Sequence, residues 1–270
     1  MYKAICLIGR EKIIYSIDDF KELAEEKMAM LRVNLFCPEC GGVAFFRRES
    51  IDGKSACFGS NNHTETCKNL SANYQQRKND NSAIRTMLSN SENNELPIQV
   101  TFDIYPKSKG LVFTPIKKLE GGSRVGKQRK ASINARALFY SLMRDGEIGS
   151  SNAWFSFDGI YKWRAKNLFV NFYDAEPNTK PKMYWGTINY ADKNMDWFNP
   201  VENKVVGIPI AKLKCLILSA YRTNDPSYFD GAGIIFFGTC FSNKESSRLI
   251  IQPWGNNLER FFIIPFTHDE

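Results

Sequence analysis

The chain has 270 residues, which is enough for one large domain or for a small and a medium domain. Its formal net charge is +7, and its seven cysteines are an odd number, which favours free thiols in a reducing compartment over a disulfide framework. Residues 1–15 hold no apolar segment long enough for a signal peptide, and no stretch approaches a membrane span. The sequence therefore predicts a soluble, cytoplasmic protein without a membrane partner.

The first elements are predicted to be a strand hairpin and a helix. Alternating apolar residues over residues 2–15, with a turn near Gly9, are typical of a hairpin. Ser16 is a candidate N-cap with Asp19 three residues later, and apolar residues then follow at helical spacing as far as Leu31. We expect this helix to lead into the first pair of cysteines.

One segment of the N-terminal third carries the strongest motif. Cys37 and Cys40 have the spacing C-x2-C, and His63 and Cys67 have the spacing H-x3-C. Zn2+ takes four thiolate and imidazole ligands in tetrahedral sites, and a two-residue gap lets a tight turn direct both sulfurs at one ion. Four protein ligands leave no open position for water, so we predict a structural zinc ion. Cys57 lies between the two pairs and is an alternative ligand in place of His63 or Cys67.

The middle of the chain is predicted to be a linker. Residues 75–96 are rich in Asn, Ser, Gln and charged side chains, with a short helical turn around Ile84, Met87 and Leu88. This composition divides the chain into a zinc-binding module at residues 1–74 and a second domain at residues 97–270.

The second domain is predicted to consist mainly of strands. From Ile98 onward, short apolar runs alternate with Gly, Asn, Asp and Pro at a spacing typical of an antiparallel sheet or a barrel. One helix is expected from Ser132 to before Gly146, and residues 210–221 fit either a helix or a buried strand. The predicted fold class is α+β, with a small zinc-stapled N-terminal domain and a mainly antiparallel β domain, of sheet or barrel type, that has one or two helices.

The positive charge lies in one short segment. Residues 107–136 contain nine Lys and Arg side chains and one acidic residue, Glu120, whereas the rest of the chain is close to neutral. Cations are unfavourable just before the N-terminus of a helix, and a bound anion would offset those that precede the helix expected at Ser132. This segment is therefore interpreted as a phosphate-binding surface. A solvated loop is the alternative. The candidate nucleic-acid-binding residues in it are Lys117, Lys118, Arg124, Lys127, Arg129, Lys130 and Arg136.

Motifs of phosphate chemistry are incomplete in this segment. Residues 121–127 fit G-x4-G-K, but Gln128 stands where a P-loop has Ser or Thr, so Mg2+ would lack its hydroxyl ligand. Residues 128–130 match a nuclease Gln-x-Lys element in letters but lack apolar flanks, and Glu120 is the only carboxylate in the basic segment. A histidine-assisted nucleophile is also disfavoured, because one of the two histidines is a predicted metal ligand and the other is near the C-terminal end.

Aromatic side chains are dense in residues 154–198, where thirteen of them are interleaved with lysines and arginines. Exposed rings can stack on bases while cations follow the backbone of a single strand, although most aromatic residues in strands belong to the core. Trp154, Tyr161 and Trp163 are the candidate stacking residues.

The N-terminal third resembles the zinc-binding region that precedes the nuclease domain in competence proteins of the CoiA family. The resemblance rests on F-C-P-E-C-G-G at residues 36–42 and on Phe58 followed by His63 and Cys67, and it covers a minor part of the chain. It implies bound zinc and a DNA-handling context. It does not extend to catalysis, because no nuclease core follows Leu96 and Cys57 stands where a second histidine is expected.

The preferred interpretation is a non-enzymatic, zinc-containing protein that binds nucleic acid, DNA rather than RNA, in bacterial DNA processing or in antiviral and mobile-element defence. Two alternatives stay open at this point. One is a nuclease or nuclease subunit whose carboxylates are not recognisable from the sequence. The other is a protein-interaction module of a larger complex, with the basic segment binding an acidic partner.

Overall fold

The computed structural model describes residues 1–49, 55–60, 63–64, 66–69, 74–103, 111–115, 129–145, 147–243 and 248–266. For residues 74–83, 111–115, 129–130 and 144–145 the description covers the backbone only. The chain forms two compact units. Met1–Tyr74 and Val170–Glu270 together form unit 1, and Gln75–Phe169 form unit 2.

Along the chain, the strands and helices of unit 2 lie between the two parts of unit 1. The first part of unit 1 contains β1 (Lys3–Ile8), β2 (Glu11–Ser16), α1 (Ile17–Lys21), α2 (Glu25–Leu31), β3 (Leu35–Phe36), β4 (Val43–Arg47) and β5 (Cys57–Gly59). Unit 2 is built from α3 (Tyr74–Asn94), β6 (Ile98–Thr101), β7 (Leu111–Pro115), β8 (Arg129–Asn134), α4 (Ala135–Asp145), α5 (Glu147–Ser150), β9 (Trp154–Ser156), β10 (Trp163–Arg164) and α6 (Ala165–Leu168). The chain returns to unit 1 with β11 (Phe169–Asn171), β12 (Lys182–Ala191), β13 (Trp197–Pro200), β14 (Val206–Pro209), α7 (Lys214–Tyr221), β15 (Gly233–Ser242), β16 (Leu249–Pro253) and β17 (Phe261–Ile264).

The N-terminal part of unit 1 is a five-stranded sheet in the order β2-β1-β3-β4-β5. The predicted hairpin is present as β1 and β2, and Ser16 and Asp19 form the predicted capping box at the start of α1. The single predicted helix is instead two short helices, α1 and α2. Phe20 from α1 packs against the rings of Phe46 and Phe58, at centroid distances of 4.8 and 5.3 Å. This aromatic core holds the sheet beside the segment that carries the cysteines.

The C-terminal part of unit 1 contains a closed five-stranded barrel. β12 pairs with β15 from Lys182 to Thr187 and with β13 from Ile188 to Ala191, and the β12–β13 pairing has a register shift between Ile188 and Tyr190. The ring is completed by β13–β14, β14–β16 and β15–β16, of which β14–β16 is parallel. Phe198, Ile208 and Ile251 are fully buried and fill its interior. The structure therefore confirms the α+β class and the barrel.

The N-terminal segment that carries the Cys and His pairs and the barrel belong to the same compact unit. A Cβ atom placed on Gly231, just before β15, would lie 1.9 Å from the ring of Phe45 in β4, so the two segments are in direct contact. Asp230 next to it forms ion pairs with Arg32 and Arg48. The units of the structure thus differ from the division at residues 74 and 97 that composition suggested, because these contacts join residues far apart in the chain.

Unit 2 contains a mixed sheet in the order β10-β9-β6-β8-β7, in which β6 is parallel to both β8 and β9. The predicted linker is largely the helix α3. Its composition is polar, but Ile84, Met87 and Leu88 are buried, so packing of one apolar face stabilises a helix that propensity alone does not favour. The helix predicted from Ser132 begins later, at Ala135, because Ser132 belongs to β8.

The ambiguous residues 210–221 contain the helix α7, between β14 and β15. Among the described residues, no helix combines the length and the hydropathy that a membrane span requires.

Candidate metal centre and nucleic-acid interfaces

The first half of the metal centre is the turn between β3 and β4. Cys37 N–H donates to Gly42 O at 2.8 Å, and Gly41 N–H donates to Cys37 O at 2.9 Å. Gly41 has a φ of 68°, a left-handed conformation that costs glycine little. This tight turn places the side chains of Cys37 and Cys40 on the same side.

The second half of the centre follows β5. Cys67 N–H donates to Thr64 O at 3.0 Å, which closes a short turn and brings Cys67 back to His63. Cys37 and Cys67 are buried, whereas Cys40 and His63 are half-buried. Asn69 Nδ2 lies 3.6 Å from Cys37 Sγ, where it can orient the sulfur from outside the ligand set.

The four predicted ligand atoms lie together. The Sγ atoms of Cys37 and Cys67 are 3.8 Å apart, and His63 Nδ1 lies 3.4 Å from Cys40 Sγ and 3.3 Å from Cys67 Sγ. All four atoms lie within 4.8 Å of one another. A tetrahedral ion with bonds of about 2.3 Å to sulfur and about 2.0 Å to nitrogen has ligand–ligand edges of about 3.5–3.8 Å. The cluster can therefore hold one metal ion with little movement of its side chains.

The thiols of the cluster differ in acidity. Burial acts to raise the pKa of Cys40, but hydrogen bonds from His63 and from the backbone of Thr64 and Gly42 outweigh it and lower that pKa to about 6. Burial, assisted by Cys40, raises the pKa of Cys67 to about 11. One thiolate is thus favoured before a metal binds, and the ion must displace the thiol proton of Cys67.

Cys57 does not join the cluster. It lies in β5 opposite Arg47, and burial raises the pKa of its thiol. Among the described residues, the four-residue Cys and His cluster is the one group of three or more Cys, His, Asp or Glu side chains placed to hold a metal ion. The alternative ligand set with Cys57 is therefore not the one that the structure assembles.

The predicted basic surface falls largely outside the described residues. Lys117, Lys118, Arg124 and Lys127 lie outside them. Arg129 and Lys130 are described by backbone only and belong to β8, so they are strand residues and not part of a loop before the helix. Arg136 lies in the first turn of α4. Asn134 caps the N-terminus of that helix: its Oδ1 accepts a hydrogen bond from Ala137 N–H at 2.8 Å.

Trp154, the first candidate stacking residue, is engaged by cations. The guanidinium carbon of Arg164 lies 4.0 Å from the centroid of its ring, and Lys162 Nζ lies 4.6 Å from it. Trp154 is half-buried in β9, and its main-chain N–H donates to Ser91 Oγ at 2.9 Å. Arg164 and Lys162 thus occupy positions over the ring that a base would need.

Tyr161 and Trp163 lie in a row of aromatic rings. Tyr161 is 65% exposed, and its centroid is 6.2 Å from that of half-buried Trp163. The row continues from Trp163 to Phe157 at 5.4 Å and from Phe157 to Phe102 at 5.9 Å. Of the predicted stacking residues, Tyr161 is the most accessible.

No protein-family model matches the chain, and neither curated proteins nor solved structures give a match.

An exposed aromatic pair on the barrel was not singled out from the sequence. Trp197 in β13 is 38% exposed and Phe241 in β15 is 45% exposed, whereas the neighbouring Phe198 is fully buried. The ring of Trp197 lies over Gly207 in β14, where an added Cβ would be 3.1 Å from the indole. Ile250 pairs with Phe241 on one side and with Gly207 on the other, so these residues form one apolar row on the outer face. In the sequence, this row is indicated by the alternation of Trp197 with Phe198, which places the two rings on opposite faces of β13.

Proposed function

We propose that this chain is a non-enzymatic, zinc-containing protein that binds nucleic acid. The observation that carries the proposal is the separation of charge between the two units. Unit 2, residues 75–169, has 16 Lys and Arg against 8 Asp and Glu, whereas unit 1 has 20 against 21. All of the net positive charge thus belongs to unit 2. A polyanion is the natural ligand for such a unit, because cations that contact phosphates release condensed counterions.

Zinc is the metal that we assign to the Cys and His cluster. Three thiolates and one imidazole are a common ligand set of structural zinc sites, and they are softer ligands than Mg2+ or Ca2+ prefer. Cys37, Cys40, His63 and Cys67 would complete a tetrahedral shell, which leaves no position for a reacting water. The ion would stabilise the turn between β3 and β4 together with the segment after β5, and it would not take part in a reaction.

The barrel supports a preference for single strands. Its strand order, β12-β13-β14-β16-β15 with β14 parallel to β16, and the helix between β14 and β15 are those of an OB-fold. Many OB-folds bind oligonucleotides on the face of their second and third strands, which correspond to β13 and β14. A fold hosts many functions, so the exposed Trp197 and Phe241 on this side, rather than the topology, are the features to test.

The context that we propose is a reducing, cytoplasmic compartment and bacterial DNA processing or mobile-element defence, with DNA as the ligand. All seven cysteines are free, which agrees with a reducing compartment. The resemblance of residues 36–67 to the zinc-binding region of CoiA-family proteins favours DNA over RNA.

The test is equilibrium binding to labelled single- and double-stranded DNA and RNA over a series of salt concentrations. We expect the logarithm of the affinity to fall linearly with the logarithm of the salt concentration, with a slope of about 0.7–0.9 for each phosphate contact. A variant with Lys127, Arg129 and Lys130 changed to Gln should lower this slope by about 2–3.

The matched control changes Arg10, Lys12 and Lys27 to Gln, because these exposed cations of unit 1 alter the net charge by the same amount. An affinity that does not respond to salt, or equal losses in the two triple variants, would contradict the proposal. Cleavage of DNA with Mg2+ or Mn2+ that a single acidic substitution abolishes would favour the nuclease alternative instead.

A further inference from the structure

Two exposed apolar side chains lie side by side at the tip of the β9–β10 hairpin in unit 2. Ile160 is 79% exposed and Tyr161 is 65% exposed. Among the described large hydrophobic residues, Ile160 is the most exposed one. Together they form a small apolar surface that a ligand can cover.

The tip is held rigid by hydrogen bonds from side chains to its backbone. Asp158 Oδ1 accepts from Ile160 N–H and from Tyr161 N–H, both at 2.9 Å. Ser156 Oγ accepts from Gly159 N–H at 2.9 Å, and Gly159 adopts a φ of 73°, which other residues rarely adopt. The backbone of the tip is therefore preorganised, and ordering it on binding costs little entropy.

Aromatic rings support the tip from below. Tyr161 contacts Trp163, and Trp163 contacts Phe157, which pairs in turn with Phe102 at the end of β6. The register of the hairpin places Trp163 opposite the fully buried Phe155. Tyr161 is thus supported by a continuous row of half-buried rings, which resists displacement of the tip when a ligand binds.

The charge around the tip selects a polyanion as the ligand. Lys162 and Arg164 follow the tip directly, and both lie over the ring of Trp154. Glu95 Oε2 lies 3.6 Å from Lys162 Nζ in an exposed pair, which solvent weakens, so a phosphate can compete for this cation. Since unit 2 also carries 16 basic against 8 acidic side chains, its charge complements the phosphates of a nucleic acid.

We propose that Ile160 and Tyr161 insert between adjacent bases of the nucleic acid that unit 2 binds, which rests on the proposed function. Apolar wedges such as Ile separate base steps, and an aromatic ring such as Tyr offers a face on which a base stacks. Lys162 and Arg164 would lie beside the backbone of the same strand. The hairpin would thereby unstack one base step, in a duplex or in a single strand.

The test uses the full chain and oligonucleotides that contain 2-aminopurine, whose fluorescence increases when it is unstacked. With the native chain, a severalfold increase is expected on binding, and parallel duplex and single-stranded probes show which form is opened. A variant with Ile160→Ser and Tyr161→Ser should lose the increase and bind about 5- to 100-fold more weakly, the effect of losing a stacked base. Its salt slope should stay the same, because phosphate contacts remain.

Two further variants make the test specific. Ile14→Ser with Tyr173→Ser removes an Ile and a Tyr of unit 1 that are 61% and 73% exposed, and it should leave both fluorescence and affinity unchanged. Tyr161→Phe keeps the ring and should retain most of the fluorescence increase in a chain that folds normally. Salt-dependent binding without a fluorescence change would overturn the insertion while leaving the proposed function intact, and absence of binding would overturn both.

Discussion

Arg48 forms a two-point ion pair with Asp230, which lies 182 positions later in the chain. Arg48 Nε lies 2.8 Å from Asp230 Oδ2, and Arg48 Nη2 lies 3.2 Å from Oδ1. Asp230 is fully buried, and Arg32 Nη2 is also 3.2 Å from its Oδ2. Arg32 in turn donates to the backbone oxygens of Phe46 and Asn189, at 2.9 and 3.0 Å. A single buried carboxylate thus connects the N-terminal part of unit 1, which carries the Cys and His cluster, to the segment that leads into the barrel.

Asp230→Asn is therefore expected to lower the free energy of unfolding by about 3–5 kcal/mol, because two guanidinium groups lose their buried counter-charge. Urea denaturation followed by circular dichroism measures the change. Glu49→Gln is the control, since Glu49 lies 3.4 Å from Lys21 in an exposed pair and its loss should cost less than about 1 kcal/mol. Similar losses in the two variants would show that Asp230 does not have this connecting role.

The geometry of the Cys and His cluster predicts one bound metal ion per chain. Cys37→Ser is expected to lose the ion, because three ligands hold Zn2+ more weakly than four and Cys37 also anchors the turn before β4. Elemental analysis of the purified chain measures the metal content, and a chelator should lower the melting temperature of the native chain only. Cys57→Ser is the matched control: a buried thiol outside the cluster is removed, and the metal should remain. Loss of metal from both variants would point to misfolding and not to ligation.

Local patterns predicted the Cys and His cluster well. C-x2-C and H-x3-C are short-range spacings, and the turn at Gly41 and the hairpin of β3 and β4 follow from residues adjacent in sequence. Short apolar runs at close spacing also predicted a strand-rich second domain, although the strand β13 was not among the predicted strands. The closure of the barrel was not predictable, since β12 pairs with two different strands along its length and that pairing depends on distant partners.

Long-range contacts explain the other differences between sequence and structure. The extent of unit 1 depends on Asp230 and on the packing of Phe45 against Gly231, and neither contact leaves a local pattern. The polar composition of α3 predicted a linker, whereas the burial of Ile84 and Met87 stabilises a helix there. For the stacking residues, aromatic density alone did not distinguish Trp154, which is covered by cations, from Trp197, which is exposed.

A buried carboxyl in unit 1 predicts a pH-dependent stability. Glu202 Oε1 accepts from Thr187 N–H at 2.7 Å, while its buried Oε2 has no hydrogen-bond partner among the described residues. Burial raises the pKa of Glu202 from 4.5 to about 7. Because the folded state favours the neutral acid, this stabilisation is complete below about pH 4.5 and is lost as the pH rises through about 7.

Glu202→Gln imitates the neutral acid at every pH. The variant should therefore exceed the native chain in stability by about 1–3 kcal/mol above pH 7, and the difference should vanish toward pH 4.5. Urea denaturation at a series of pH values measures it. Glu176→Gln, which changes an exposed carboxylate of the same unit, should give a difference that does not depend on this pH range. A constant offset between the Glu202 variant and the native chain would mean that Glu202 is ionised in the folded state throughout.

The exposed ring of Trp197 predicts a base-stacking contact on the barrel. Trp197→Ala should weaken binding of a single-stranded oligonucleotide by about 1–3 kcal/mol and leave the salt slope unchanged, because a stacked base is lost and phosphate contacts are not.

Trp254→Ala is the matched control, since Trp254 is 54% exposed in the same unit but follows β16 instead of lying in β13. Fluorescence anisotropy gives the affinities, and Trp197→Phe should recover part of the loss because it keeps a ring over Gly207. Equal effects of Trp197→Ala and Trp254→Ala would exclude the face of β13 and β14 as the base-binding surface, whereas an effect confined to Trp197 would assign bases to the barrel independently of the hairpin in unit 2.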